Sequence, residues 1–298
     1  VLVLPEEIGR LAVQAILYEV AVTPKPGLVD RYSAGAHQDM DYFSFLASAT
    51  ALMPYFTQFA KKGIEGKADA PQALFQTIRA VGVEAEHCMF DATGGVNTHK
   101  GAIFSIGLAC VASGVLAARG EPLTPQNIAG YVAQMTAGIC RREYEKIKAK
   151  KNPTKGEKIY LRYGLTGVRG EAEAGFPSVL KYSYPVLEQC LCSGISGNES
   201  MLQAYLVLAS SVDDTNVLGR HNREMSAYLK TKMREVLEAG GALKKENIAV
   251  LQVLDEEFII KNISPGGCAD LLALTIFLFS LAHPSWRYRV MVRHAVDR

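Results

Sequence analysis

The residues best suited to chemistry stand in Ala92-Thr93-Gly94-Gly95-Val96-Asn97-Thr98-His99-Lys100-Gly101, immediately ahead of an uncharged segment that begins Ala102-Ile103-Phe104. Gly94 and Gly95 allow positive φ and close backbone approach, and Asn97, Thr98, His99 and Lys100 offer donors where a helix begins, which is a way to hold an anion. Taken alone, such a stretch is more simply an interhelical connection with Asn97 or Thr98 as N-cap. Four further stretches share its density of glycine and charge. They are 23–39 with Lys25, Asp30, Arg31 and His37; 163–177 with Arg169, Glu171 and Glu173; 212–220 with Asp213 and Asp214; and 262–270 with Gly266, Gly267 and Asp270. Lys25, Arg31, Lys100 and Arg169 are types that offset phosphate charge. Asp30, Glu171, Asp213, Asp214 and Asp270 are types that hold Mg²⁺ or move a proton. The adjacent carboxylates of Asp213 and Asp214 repel unless a cation sits between them or they face apart. Local roles compete: Asp214 and Asp270 are also good N-caps, His37 could order its own loop, and Glu173 could be solvated or a partner behind the site.

The elements that must position these groups are helical. Ile8, Leu11, Ala12, Ala15 and Ile16 share one face of a helix over 6–22, ended by Thr23-Pro24-Lys25-Pro26-Gly27. A second helix from Asp41 to Lys61 is expected to kink at Pro54, and a third opens at Ala70-Pro71. Residues 101–118 carry no charge, and their Gly, Ser, Ala and Cys content predicts a helix buried on all sides and not a membrane span. Thr124-Pro125 opens another helix as N-cap and N1, and further helices follow through 179–187 and 199–209, in an amphipathic stretch ahead of the Gly240-Gly241 break, and through 248–258 and 271–282. No strand alternation competes. The basic run from Arg141 to Lys158 predicts a solvated helix end and a mobile loop, and it is where a hinge would fall. The expected architecture is all-α: a single compact multi-helical domain over 1–283, with glycine-rich polar loops at helix junctions forming one cleft. An extra basic tail over 284–298 follows.

The 298 residues carry 32 Lys and Arg against 30 Asp and Glu, so no global basic field favours nucleic acid, and any anion site must be local. Six cysteines without a C-x-x-C pair suit reduced thiols, and Pro5, Glu6 and Glu7 do not suit a signal peptide. A cytoplasmic protein is expected.

The five stretches together resemble the triphosphoribosyl-dephospho-CoA synthase family. The motifs are T-P-K-P-G-L-V-D-R from Thr23 and G-A-H-Q-D-M from Gly35, then A-T-G-G-V-N-T-H-K-G from Ala92. L-T-G-V-R-G-E-A-E-A-G-F-P from Leu165, D-T-N-V from Asp214 and N-I-S-P-G-G-C-A-D-L-L from Asn262 complete the set, in the family's order. Two departures stand out: Arg220-His221-Asn222 where the family often has Arg-Gly-Gly, and Cys268 where serine is common. The resemblance implies transfer of the 5-triphosphoribosyl group of ATP to the ribose 2′-hydroxyl of 3′-dephospho-CoA, with release of adenine. The product would be the prosthetic-group precursor of citrate lyase or malonate decarboxylase, passed on to an acyl-carrier-protein transferase. It also implies roles. Lys25, Arg31, Asn97, Lys100, Arg169 and the backbone near Gly94, Gly95, Gly266 and Gly267 would bind substrate phosphates, Glu171 and Asp214 would hold Mg²⁺, Asp30 would be the base, with Asp214 able to exchange roles with it, and His99 would contact adenine or a phosphate. The alternatives are a helical ATP hydrolase or phosphotransferase, and a non-catalytic nucleotide sensor.

Overall fold

A computed structural model describes residues 4–145, 147 and 150–286. Its helices are α1 (Pro5–Ala21), α2 (Tyr42–Glu65), α3 (Pro71–Ala92), α4 (Lys100–Arg119), α5 (Pro125–Thr136), α6 (Ile139–Tyr144) and α7 (Lys155–Tyr163). They continue with α8 (Gly167–Glu173), α9 (Tyr184–Cys192), α10 (Gly197–Ser211), α11 (Thr215–Arg220), α12 (Arg223–Glu238), α13 (Glu246–Ile260) and α14 (Gly266–Ala282). No strand occurs among the described residues, as the helical periodicity predicts.

Local chemistry accounts for the starts. Pro5 occupies the first turn of α1 with Glu6 and Glu7 against the helix dipole. Asp41 and Ser44 form a reciprocal capping box on α2, with Ser44 N–H donating to Asp41 Oδ1 at 2.8 Å. Thr124 accepts from Asn127 N–H at 3.2 Å to open α5. Pro54 is carried inside α2 as one assigned helix.

At the centre lie α4 and α14. Nearly every residue of α4 from Ala102 to Leu116 is buried, with α1, α2, α3, α5 and α14 packed around it. It is also the one helix among the described residues that is long and apolar enough to cross a membrane, and here most of it is buried against other helices. Two glycines set its crossing with α2. A Cβ on Gly63 would stand 2.9 Å from the carbonyl carbon of Val111, and one on Gly114 would stand 3.1 Å from that of Ala60, so the two backbones touch where no side chain fits.

One expectation is corrected and another narrowed. The stretch 163–177 is not a continuous loop, since α8 forms within it and packs on α4, α5 and α6. Glu173 is half-buried and partnered: its carboxylate accepts from Gly138 N–H at 2.5 Å and Cys140 N–H at 3.2 Å and so closes the start of α6. Within the basic run, residues 146, 148 and 149 lie outside the described residues. Tyr144, near the start of the run, stacks at 3.9 Å on Tyr160, two residues beyond its end. Residues 284–286 form a 3₁₀ turn whose Trp286 lies edge-on to Phe279 at 5.9 Å, while the remainder of the proposed basic tail, 287–298, lies outside the described residues.

Candidate active site

Residues from all five polar stretches line one cavity of about 850 Å³. The connection between α1 and α2 supplies Val29, His37 and Asp39; the start of α4 supplies Asn97, Thr98, His99 and Lys100. The region of α8 supplies Thr166, Gly170 and Glu171; the α10–α11 turn supplies Asp213, Asp214 and Asn216; and the start of α14 supplies Gly266, Gly267 and Asp270.

Carboxylates hold the two central helix starts. Asp270, in the second turn of α14, lies across the first turn of α4: a Cβ on Gly101 would stand 2.8 Å from Asp270 Cγ and nearer still to Oδ2. The amide of Ala102 donates to it, yet burial, reinforced by the charges of Glu19 and Asp214, pushes its pKa well above the carboxylate range. Asp270 is therefore not the cap of its own helix, which begins four residues earlier at Gly266. Asp214 does cap α11, with Oδ1 accepting from Asn216 N–H at 2.8 Å and Val217 N–H at 3.3 Å, while Oδ2 accepts from Cys268 N–H at 2.8 Å in the first turn of α14. Cap and cavity wall are here one residue. Burial raises its pKa against the pull of those three amides. Gly267 is needed for this approach, because a Cβ there would lie 3.0 Å from Asp214 Oδ2.

His99 is 3% exposed, its Nδ1 is 2.7 Å from Ser48 Oγ and its ring lies edge-on to Phe45 at 4.9 Å. Burial, with the nearby Lys25 cation, drops its pKa to about 3, so the ring is neutral at any physiological pH. Glu171 is fixed by Ser178, whose Oγ donates to it at 2.6 Å and whose N–H donates at 3.2 Å. At the rim, Arg220 donates to Ala36 O at 3.0 Å and Asn262 Oδ1 at 2.9 Å, and His37 Nε2 meets Ser264 Oγ at 2.8 Å. The Arg220-His221-Asn222 turn is thus structural on two sides: His221 bonds to Asn262 O at 2.9 Å, and Asn222 caps α12 through Met225 N–H at 3.0 Å.

Several residues expected at the site are placed elsewhere. Lys25 is fully buried, its ammonium held by the carboxylate and carbonyl of Glu19, so it stands behind that wall residue and does not itself line the cavity. Asp30 folds its own turn, accepting from Lys25 N–H at 2.9 Å, Tyr32 N–H at 2.6 Å and Ser33 N–H at 3.0 Å, and it too is off the wall. Arg31 is exposed and reaches Asn198 Oδ1 at 3.4 Å. Gly94 and Gly95 use positive φ to end α3, with Gly95 N–H donating to Phe90 O at 2.7 Å, and they do not line the cavity. Arg169 pairs with Glu143 at 2.6 Å beside a separate hollow of about 510 Å³. Glycine and charge mark helix ends as readily as ligand loops, which is why these residues fit both readings.

Conversely, the wall includes Glu19, Lys155, Ser178 and Tyr182, none of which stands out in the sequence. Glu19 had a signal: it continues the apolar face of Ile8, Leu11, Ala15 and Ile16, where a carboxylate has no reason to be unless partnered. Oxygen donors of this kind suit Mg²⁺, although among the described residues no three His, Cys, Asp or Glu side chains converge as a ready-made cage. A metal here would draw the rest of its ligands from a bound polyphosphate and water.

Fold and site define an all-helical protein with a carboxylate-rich cavity at converging helix starts. The chain belongs to the CitG family, ATP:dephospho-CoA triphosphoribosyl transferase, whose model matches residues 5–288. It is 40% identical over 273 residues to the 2-(5''-triphosphoribosyl)-3'-dephosphocoenzyme-A synthase of Pectobacterium atrosepticum, covering 92% of this chain and 88% of that one. The protein of the same name from Klebsiella pneumoniae is 40% identical over 273 residues, 92% of this chain and 90% of its own. A probable synthase of this type from Salmonella typhi is 42% identical over 272 residues, 91% and 90% of the two chains. No solved structure gives a significant match.

Proposed function

We propose that this chain transfers the 5-triphosphoribosyl group of ATP to the ribose 2′-hydroxyl of 3′-dephospho-CoA and releases adenine. One observation carries the reading beyond family membership: Asp270 and Asp214, far apart in sequence, share one cavity wall with the phosphate-type groups Lys100, Arg220 and Lys155. In the reaction the acceptor oxygen bonds to the anomeric carbon, the bond from that carbon to the purine breaks with its electron pair going to adenine, the hydroxyl proton passes to a base, and the adenine anion takes up one proton from solvent, so that no net proton is gained or lost. Asp270 fits the base better than Asp30, because it stands on the cavity wall, whereas Asp30 lies off the wall with its carboxylate accepting from three backbone amides. Buried carboxylates also favour the positive charge that develops on the sugar as the purine leaves.

Mg²⁺ is part of the proposal: Glu171 and Asp214 would contribute oxygens to a metal bound with the triphosphate, and the metal would offset phosphate charge that the few cationic side chains of the wall leave uncovered. The amides of Gly266 and Gly267 open α14 on the cavity wall and suit a phosphate oxygen. The product would be the precursor of the citrate lyase or malonate decarboxylase prosthetic group, delivered to an acyl-carrier-protein transferase. The test is free adenine, followed by chromatography with Mg²⁺ and each substrate singly and together. Adenine only with the pair supports the proposal; inorganic phosphate without adenine would assign the chain to a hydrolase or phosphotransferase instead.

A further inference from the structure

Ser48 lies in α2, outside every polar stretch that the sequence singles out, and is fully buried. Thr98 Oγ1 donates to Ser48 Oγ at 2.8 Å, and Ser48 Oγ is 2.7 Å from His99 Nδ1. A hydroxyl has one proton, and among the described residues no other acceptor takes that of Ser48, so it goes to Nδ1. Nδ1 is then the acceptor, and a neutral imidazole must carry its proton on Nε2. Nε2 is buried, has no protein partner among the described residues, and belongs to a residue of the cavity wall. A buried donor without an acceptor costs stability unless a ligand completes it.

We infer that Ser48 is a positioning residue which, relayed from Thr98, locks His99 as a fixed neutral donor to a ring nitrogen of the departing purine. The inference rests on the adenine-release reading. Apolar surface suited to a flat heteroaromatic ring is at hand, since Phe45 lies edge-on to His99 and Met40 and Val29 line the same cavity, whereas a phosphate would seek Lys100 or Arg220. As the bond to the sugar breaks, electron density accumulates on the purine, and a hydrogen bond to N3 or N7 strengthens at that moment, so the contact acts on the transition state more than on ground-state binding. His99 gives up no proton in this role.

The experiment has two arms. ¹⁵N NMR of the full chain, labelled at histidine, should show His99 with a pyrrole-type Nε2 and a pyridine-type Nδ1, and Ser48→Ala should mix the tautomers. A protonated Nδ1 in the unsubstituted protein overturns the lock, whether or not adenine is released. The second arm compares kcat for ATP, 3-deaza-ATP and 7-deaza-ATP in the unsubstituted protein, Ser48→Ala and Thr98→Val, with circular dichroism to verify folding. Removing the acceptor should slow the unsubstituted protein about tenfold more than either variant for one of the two analogues. Equal penalties in all three proteins for both analogues would overturn the purine contact, and a failure to release adenine from ATP itself would remove it together with the parent reading.

Discussion

Gly101→Ala is the sharpest perturbation the site offers, because it adds one carbon and no charge. The new Cβ would stand 2.8 Å from Asp270 Cγ, where ordinary contact begins at 3.4 Å, so the carboxyl group must retreat by about 0.6 Å at Cγ and by more at Oδ2. Displacement of a reacting group by about 1 Å costs on the order of 10²-fold in rate, and kcat for adenine release should fall by about that factor. The fold should survive. Gly101 sits in the first turn of α4 with an ordinary helical backbone, where alanine gains about 0.5–1 kcal/mol over glycine and offsets part of the strain. Gly130→Ala is the control, since Gly130 in α5 has nothing within 4 Å of its would-be Cβ; it should keep full activity and gain slight stability. Adenine chromatography paired with thermal melting decides the matter. A Gly101→Ala protein that melts normally and turns over at the unsubstituted rate would show that the position of Asp270 does not govern the reaction.

Asp270→Asn should abolish adenine release by orders of magnitude and yet raise the thermal midpoint at neutral pH. The sign follows from its raised native pKa: between the unfolded value of 3.8 and that native value the folded state binds more protons, so acidification through this window stabilises the unsubstituted protein, and the variant should lack that share of the gain. Lys25→Met leaves Glu19 buried and uncompensated and should cost about 3–5 kcal/mol by urea denaturation, while the Lys25→Met, Glu19→Leu double variant should recover most of it. Arg31→Ala should leave KM for ATP within about twofold in steady-state assays, because Arg31 stands away from the cavity. Chelation of Mg²⁺ with EDTA should stop adenine release, and titrating the metal back should restore it.

Helix positions were legible in the sequence because they rest on local signals: the proline and acids that open α1, the Thr124-Pro125 start of α5, and the uncharged run that becomes α4. The site was legible as a set of stretches but not atom by atom. Asp214 reads equally as a cap and as a wall carboxylate, and it is both. Lys25 looks like a phosphate ligand only while the carboxylate that neutralises it, Glu19, remains hidden one helix earlier. Gly94 and Gly95 carry the positive φ expected of them, but it serves the end of α3. Burial decides each of these cases, and burial depends on contacts far apart in sequence. Ser48 shows the limit most plainly, as a lone serine in a helix becomes notable only when Thr98 and His99 are seen beside it.

The bare-backbone contact of Gly63 and Gly114 reaches further than packing. The helix that carries Gly63 also carries Ser48, and the helix that carries Gly114 begins just after His99, so the same two rods clasp at one end and hold an imidazole at the other. Widening the clasp with a methyl group would swing Ser48 relative to His99 from about four turns away. Catalytic loss without any altered side chain in the cavity is the phenotype to expect there, and by reciprocity a substrate that engages the imidazole should slow amide exchange along the clasp.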